Sequence, residues 1–245
     1  MPRSARLLLL VLSVAWLGHA PAHQLVETGS FDARTVEVQP TPVAPAVGAA
    51  RSCAGWCPAG ISRQQVLQHA ESTYIAPVVD GDSVIRRWHD RDAEPLRVWI
   101  AAAPALGDWR DTLPALARAG FARWEGRGAP LRFRFVEDST DAEVRVRWEE
   151  QLPGRRVGLM RWSADREGWL RSAEIVLALR APDGDLLADS MIAAVAVHEA
   201  GHALGLEHSH ETRDIMSPLV FGQEISPQDE RTLRILYSLP VGRVD

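Results

Sequence analysis

Residues 198–208 read HEAGHALGLEH and carry three histidines at a spacing that could serve metal chemistry. Residues four positions apart lie on one face of an α-helix, so His198 and His202 could both reach one ion. A glycine such as Gly205 readily takes the backbone conformation that ends many helices. The chain could then turn back and bring His208 to the same ion. The spacing therefore predicts a helix, a glycine-terminated end and a three-histidine metal site.

The residue types favour a catalytic metal over a structural one. Three imidazoles without a fourth protein ligand leave one zinc position open for water, which is typical of catalytic zinc. Glu199 follows His198 directly and could act as a base toward that water without being a ligand. The alternative is that these histidines are ordinary core or surface residues. Five specified residues at this spacing arise by chance on the order of once in ten thousand such chains, so we favour the metal site.

The segment resembles the metzincin zinc-peptidase consensus HExxHxxGxxH, and DIMSP at residues 214–218 is similar to the Met-turn of that clan. Ser209 after the third histidine resembles the matrixin branch, as do AGFARWEG, LRFRFVED, DAEVRVRW and SPQDERTLRILY. The resemblance covers about residues 90–239. It implies one catalytic zinc and hydrolysis of peptide bonds, with Glu199 taking a proton from a zinc-activated water and passing it to the leaving amine. Met216 is implied as a hydrophobic floor under the histidines.

The same resemblance implies an α+β (mixed α/β) zincin fold. Its sheet would be twisted and mostly parallel with one antiparallel edge strand, above the active-site helix and followed by a C-terminal helix. A protein or peptide substrate is expected along the edge strand, at residues 157–162. The pocket for the side chain after the scissile bond would be lined by the active-site helix and the chain after the Met-turn, at Ala194, Pro218, Leu219, Val220 and Phe221. Such a pocket should prefer large hydrophobic side chains.

Several features depart from relatives of this kind. Pro218 stands where the astacin and serralysin branches carry a tyrosine, so no tyrosine switch is expected. Residues 148–197 contain no histidine, so the second, structural zinc of animal matrixins is not expected. Asp183 and Asp185 could offer oxygen atoms to calcium, but short acidic turns are usually solvated, and calcium stays an unsupported alternative.

Periodicity and capping residues predict the elements that would position the histidines. Helices are expected at residues 62–71 with a serine cap, 112–125, 189–205 with Asp189 and Ser190 as capping residues, and 227–238 with Ser226 and Asp229. Strands are expected at residues 96–102, 131–137, 142–148, 157–162 and 173–179.

The N-terminal residues predict export. Arg3 and Arg6 precede an apolar run at residues 7–17 and a small-residue cleavage site, which is typical of a secretory signal peptide. We divide the chain into residues 1–22 (signal peptide), 23–60 (Pro/Ala-rich linker with a cysteine pair), 61–89 (short helical N-terminal extension) and 90–245 (matrixin-like zinc peptidase domain).

Charge and hydropathy exclude some partners. Removal of the signal peptide takes away two arginines and changes the formal charge from -5 to -5 - 2 = -7, so nucleic acid is not an expected partner. No other apolar stretch could span a bilayer, and we expect a secreted protein, extracellular or periplasmic, without membrane association after cleavage. The oligomeric state is open, and a monomer is assumed.

Cys53 and Cys57 are the two cysteines of the chain. An even count in an exported protein favours a disulfide bridge between them. The alternative is that one thiolate caps the zinc and keeps the enzyme latent, but RSCAGWCP is a poor match to the latency motif of animal matrixins.

The favoured function is an exported zinc metalloendopeptidase. The alternatives are a zinc amidase acting on cell-wall peptide and a catalytically idle metzincin-fold binding module. Glu199 argues against the idle module, because a purely structural zinc needs no base.

Overall fold

The computed structural model describes residues 61–80, 84–104, 111–219 and 224–245. The helices in these ranges are α1 (Arg63–Leu67), α2 (Pro77–Asp80), α3 (Leu113–Ala122), α4 (Asp189–Ala203) and α5 (Pro227–Ser238), with a 3-10 turn at Ser139–Asp141. The strands are β1 (Val84–Ile85), β2 (Arg91–Ile100), β3 (Leu131–Val136), β4 (Val144–Glu149), β5 (Gly158–Ala164), β6 (Leu170–Ala178) and β7 (Gly242–Arg243). The predicted signal peptide and linker, with Cys53 and Cys57, lie outside these ranges, as do Val220 and Phe221.

The main sheet has five strands in the order β3-β2-β4-β6-β5. Pairing is parallel from β3 through β6, and β5 joins β6 antiparallel at one edge. Side chains alternate between the two faces of a strand; in β4, Val144 and Val146 are buried whereas Arg145 and Arg147 are partly exposed. This arrangement confirms the predicted α+β fold, with a mostly parallel sheet and one antiparallel edge strand.

Strand β2 begins earlier than predicted, at Arg91 instead of residue 96. Its pairing with β3 is irregular between Arg91 and Leu96. Pro95 lies inside this interval and has no N–H to donate to the ladder, which accounts for the interruption. The regular apolar alternation begins only after the proline, and for that reason the pattern pointed to the later start.

Helix α4 packs against β5 and β6 of the sheet and against α3, which itself contacts β2 and β3. The helices α3 and α4 approach closely, because a Cβ added at Gly120 would lie 2.9 Å from the backbone of Ala196. The indole Nε1 of Trp124 donates a hydrogen bond to the Val197 carbonyl at 2.9 Å. A helix surrounded in this way is apolar on most of its circumference. Polar side chains that are buried in it therefore indicate a role other than packing.

The start of α4 differs from the prediction. Neither Asp189 nor Ser190 is the capping residue; Ala188 is, and its side chain makes no capping hydrogen bond. Asp189 is instead the first helical residue, and its carboxylate accepts a hydrogen bond from the Thr112 hydroxyl at 3.2 Å. A negative charge in the first turn still suits the helix dipole, so the aspartate stabilises the helix without capping it.

The end of α4 follows the prediction. Gly205 has a φ of 101°, and its N–H donates to the His202 carbonyl at 2.9 Å. A side chain would also be excluded by packing, because a Cβ at Gly205 would lie 2.6 Å from the Arg86 carbonyl oxygen. Glycine is therefore required here both to turn the chain and to admit the segment that precedes β2.

Residues 61–80 and 84–89, which we call the N-terminal segment, contribute buried side chains to the same hydrophobic core as the other described residues. Strand β1 pairs antiparallel with β7 near the C-terminus, and Ile61 forms a parallel bridge with Val244. The Trp88 indole donates to the Ala203 carbonyl at the end of α4, at 2.7 Å. The predicted serine cap is confirmed at Ser62, but α1 is shorter than predicted, because His69 and other residues after Leu67 form tighter turns. In the described ranges, no helix has the length and apolar character needed to cross a membrane.

Candidate metal centre

The structure brings together the three histidines of the motif. The ligating atoms that His198, His202 and His208 offer all lie within 4.8 Å of one another. Two of these residues project from α4, and the third follows the turn at Gly205. The centroid of the His198 ring lies 4.6 Å from that of His202 and 5.3 Å from that of His208, and the centroids of His202 and His208 are 4.7 Å apart. The predicted convergence of three imidazoles on one point is therefore present.

Hydrogen bonds to backbone carbonyls set the tautomer of two of these rings. His198 Nδ1 lies 2.6 Å from the Ile215 oxygen, and His202 Nδ1 lies 2.7 Å from the Leu206 oxygen. A carbonyl oxygen only accepts, so each Nδ1 must carry the hydrogen. The Nε2 atoms therefore keep their lone pairs. Bonds of this kind also fix the ring orientation of histidine ligands in metal sites.

The nitrogen separation tests whether this donor set suits zinc. His202 Nε2 and His208 Nε2 are 3.1 Å apart. Two lone pairs at that distance would repel each other unless a proton or a cation lies between them. Tetrahedral zinc with Zn–N bonds of about 2.0–2.1 Å places its nitrogen ligands about 3.3 Å apart. The arrangement of the imidazoles therefore fits a zinc ion.

Burial keeps the histidines in the form that metals require. Desolvation lowers the pKa of His198 to about 3, with a further contribution from His208. The pKa of His202 is lowered well below its usual value for the same main reason. Burial, together with the neighbouring His210, lowers the pKa of His208 to about 4. All three imidazoles are thus neutral at neutral pH, as metal binding demands.

Glu199 directly follows His198 in α4, and its carboxyl group is enclosed. The residue is 1% exposed, and its Oε1 has no hydrogen-bond partner within the part of the chain that the structure describes. Burial raises the pKa of Glu199 to about 8. A carboxyl group with a pKa near neutrality can both take up and release a proton, and a nearby dication would favour its ionised form.

The methionine of the predicted Met-turn packs against the histidine helix. Met216 is fully buried, and a Cβ added at Gly201 would overlap its sulfur and lie 2.8 Å from Trp124. Glycine at position 201 therefore permits the close packing of Met216 and Trp124 on α4. The Met216 carbonyl also accepts a hydrogen bond from the Ser209 N–H at 2.9 Å. Residues 214–218 therefore lie against α4 and against the segment that follows His208.

Two buried carboxylates hold this turn in place. Asp229 in α5 accepts from the Ile215 N–H at 2.9 Å and, at a longer 3.4 Å, from the Met216 N–H. Asp214 accepts from the hydroxyl of Ser209 at 2.5 Å and from that of Ser226 at 2.6 Å. The turn is therefore connected both to the residue after His208 and to the first turn of α5.

Sequence reasoning missed several of these residues. Asp229 was expected only to complete a capping box, which it does, and its bonds to the Met-turn were not anticipated. Tyr74 donates to Asp229 from the N-terminal segment, and Gly158 lies against Glu199. The available signals were weak: a glycine at the start of an apolar strand and a lone tyrosine in an apolar run.

The predicted substrate pocket is described only in part. Ala194 is on α4 and 3% exposed, and Pro218 and Leu219 are partly exposed. At the suggested calcium position, the carboxylate of Asp183 accepts from the Asp185 N–H at 3.2 Å, as in an ordinary acidic turn. Among the residues that the structure describes, the three histidines are the one group of three or more His, Cys, Asp or Glu side chains placed to hold a metal ion.

Comparison with known families agrees with this geometry. The family model of the matrixins, peptidase M10, matches residues 161–238. The match includes β6, the whole of α4 with the histidine motif, the Met-turn and α5. No curated protein matches the chain. Residues 161–238 are therefore similar to the matrixins, a family of zinc metallopeptidases, and the arrangement of the histidines supports a matrixin-like metzincin catalytic domain.

Proposed function

We propose that the protein is an exported zinc-dependent metalloendopeptidase with Glu199 as its general base. One observation carries this proposal: three neutral imidazoles converge, and the residue after the first of them has an enclosed carboxyl group that the described residues leave without a hydrogen-bond partner at Oε1. A structural zinc site has no use for such a group, whereas a hydrolytic site needs one.

His198, His202 and His208 would hold the ion through their Nε2 atoms, with the first two oriented by their Nδ1–H bonds to backbone carbonyls. When bound, zinc supplies a Lewis acid that polarises a carbonyl oxygen and lowers the pKa of a water molecule. Glu199 would accept a proton from the attacking water and release it to the leaving amine.

Strand β5 is the edge strand on which an extended peptide would bind. It pairs with β6 on one side only, and an edge strand offers its remaining backbone groups to a further strand. Gly158 at its start contacts Glu199, so a peptide bound along β5 would run past the proposed base. The pocket formed by Ala194, Pro218, Leu219, Val220 and Phe221 stays a proposal, with a preference for large hydrophobic side chains.

A hydrolysis assay tests the proposal. Purified protein is incubated with denatured casein and, separately, with peptidoglycan, each with a zinc chelator and after zinc is restored. We expect casein to be cleaved internally, the activity to disappear with the chelator, and zinc to restore it. Release of products from peptidoglycan alone would indicate the amidase instead. A zinc-loaded protein inactive on both substrates would indicate the idle binding module.

Export and the cysteine bridge are proposals of the same kind. They are supported by the pattern of residues 1–22 and by the even cysteine count. The intact mass of protein recovered from an exporting host, before and after reduction and alkylation, tests both. Cleavage near Ala22 and two cysteines alkylated only after reduction are expected. Free thiols at Cys53 and Cys57 would favour the zinc-capping alternative.

A further inference from the structure

Tyr74 extends the support of the Met-turn into the N-terminal segment. The residue is 5% exposed, and its hydroxyl donates to Asp229 Oδ1 at 2.9 Å, across 155 positions of sequence. Its backbone N–H donates to the Thr232 hydroxyl at 3.3 Å. Both contacts are made to α5, so Tyr74 is held at backbone and side chain by the same helix.

Asp229 relays this contact to a histidine of the metal centre. Its Oδ2 accepts from the Ile215 N–H at 2.9 Å, and the carbonyl of the same Ile215 lies 2.6 Å from His198 Nδ1. A continuous series of hydrogen bonds therefore runs from the Tyr74 hydroxyl through the Asp229 carboxylate and the backbone of Ile215 to the His198 ring. Every link is between buried groups, where hydrogen bonds are strongest.

The tyrosine hydroxyl is well placed to act as a permanent donor. Burial and the charge of Asp229 raise the pKa of Tyr74 well above its usual value, so the hydroxyl keeps its proton. The other donor to Oδ1, the Met216 N–H, is 3.4 Å away. Removal of the hydroxyl would leave that oxygen of a fully buried carboxylate with only this long bond, and unsatisfied buried acceptors shift or recruit water.

We propose that Tyr74 is a positioning residue of the metal centre, acting through Asp229 and Ile215 on the orientation of the His198 ring. The inference rests on the proposed function only in taking the histidines as the zinc ligands. If Tyr74 were merely a core residue, its ring would matter and its hydroxyl would not. Removal of the Tyr74 hydroxyl oxygen alone should therefore change the metal centre if Tyr74 is a positioning residue, and should leave it unchanged if Tyr74 is only a core residue.

The test compares Tyr74→Phe with Tyr237→Phe. Tyr237 is also buried, and its hydroxyl donates at 3.0 Å to the Leu204 carbonyl at the end of α4. Each variant loses one buried hydroxyl and keeps its ring. The readouts are zinc affinity by competition with a chromophoric chelator and the visible spectrum of the cobalt-substituted protein, which reports ligand geometry. Neither measurement requires hydrolysis.

We expect Tyr74→Phe to weaken zinc binding by about tenfold, the lower end for groups that orient metal ligands, and to shift the cobalt spectrum. In an active protein, kcat should fall with little change in KM. Tyr237→Phe should keep the zinc affinity and the cobalt spectrum of the wild type, although it should lose about as much thermal stability as Tyr74→Phe. Equal behaviour of the two variants would overturn the proposal.

Asp229→Asn provides a second route if Tyr74→Phe does not fold. Asparagine replaces one carboxylate oxygen by an NH2 group, which donates and cannot accept, so the bonds from the Tyr74 hydroxyl and from the Ile215 N–H cannot both be kept as they are, and the same changes are expected. Wild-type zinc affinity and cobalt spectrum in Asp229→Asn would also overturn the proposal. The double variant should bind zinc no more weakly than Asp229→Asn alone, because both changes break one series.

The outcomes separate this inference from the proposed function. A wild-type protein that binds zinc but cleaves neither casein nor peptidoglycan refutes the peptidase, while the effect of Tyr74→Phe on zinc affinity would still stand. An active wild type whose affinity and spectrum are unchanged by Tyr74→Phe refutes the positioning role and leaves the peptidase intact.

Discussion

The carboxyl group of Glu199 lies against the α-carbon of Gly158, so closely that a methyl group on that carbon would overlap Oε1. The same methyl group would lie 2.7 Å from a side-chain carbon of Val195. Edge strand β5 and helix α4 therefore approach each other at the proposed base. Any side chain at position 158 would have to displace the carboxyl group of Glu199.

We expect Gly158→Ala to lower kcat by at least tenfold while one zinc per chain is retained. The three atoms nearest to the added carbon belong to Glu199 and Val195, so the carboxyl group would have to move while the zinc ligands are unchanged. A displacement of about 1 Å at a catalytic group can lower the rate by about a hundredfold. Steady-state hydrolysis and elemental analysis of the same preparation check this.

Gly154→Ala is the matched control for that substitution. It lies in the turn before β5, where an added Cβ would meet no atom within 4 Å. Its φ of 76° makes alanine strained, at a cost of about 1 kcal/mol in stability. Activity should stay close to wild type. Wild-type kcat in Gly158→Ala would contradict the assigned contact.

Glu199→Gln should abolish hydrolysis but not metal binding. Glutamine keeps the shape of the side chain and removes its capacity to take up a proton, and general acid–base catalysis contributes about a hundredfold or more. Glu211→Gln is the control, because Glu211 is a nearby exposed residue. Hydrolysis by Glu199→Gln within tenfold of wild type would contradict its role as the base.

One zinc ion is expected per chain. The histidine cluster is the one candidate group among the described residues, and His208→Ala should reduce the zinc content to well below one equivalent. His89→Ala is the control, because His89 is an exposed residue that stacks on Trp169 with ring centroids 3.8 Å apart. Two stoichiometric zinc ions in the wild type, measured by elemental analysis, would refute this prediction.

The stability of the metal-free protein should depend on pH through Glu199. Its pKa is raised to about 8 in the folded state, above about 4.3 in an unfolded chain. The folded state therefore binds more protons between these values, and the free energy of unfolding falls as pH rises through this window, by at most about 1.4 kcal/mol per pH unit. The histidines, whose pKa values are lowered, act in the opposite direction below about pH 6.5.

Glu199→Gln isolates this effect, because it keeps the histidines and removes the one carboxyl group. We expect the difference in free energy of unfolding, wild type minus variant, to decrease from about pH 4.3 to about pH 8 and to level off beyond. Denaturant titrations of chelator-treated protein at a series of pH values provide the measurement. A difference that does not change with pH would show that the carboxyl group is not buried as described.

Local signals in the sequence predicted the helix that carries two of the histidines and the helix that follows the Met-turn. Ser226, Pro227 and Asp229 mark the start of α5 through capping chemistry between near neighbours, and Gly205 marks the end of α4 through its backbone conformation. Each signal acts within one turn of helix and can be read without the rest of the chain. The convergence of the histidines followed because two lie on one helix face and the third comes shortly after the turn.

The hydrogen bonds through which Asp229 and Tyr74 hold the Met-turn were not predictable in this way. Whether Asp229 serves only the cap or also the Met-turn depends on how α5 packs against residues 214–218, and no periodicity encodes that. Tyr74 meets Asp229 across 155 positions of sequence. Strand order in the sheet is equally non-local: β2 pairs with β3 and β4, whereas β4 pairs with β6. The family resemblance, rather than the pattern of residues, indicated the arrangement of the sheet.

The pairing of β1 with β7 also has a consequence for the time course of folding. Val84 pairs with Arg243, and Ile61 with Val244, so these contacts close very long loops, and contacts of large sequence separation form slowly. A growing chain emerges N-terminus first and presents the HEAGHALGLEH segment before α5 and β7 exist. The supports of the Met-turn are therefore completed last, and we expect a nascent or partly folded chain to acquire hydrolytic capacity only when its C-terminal residues have docked.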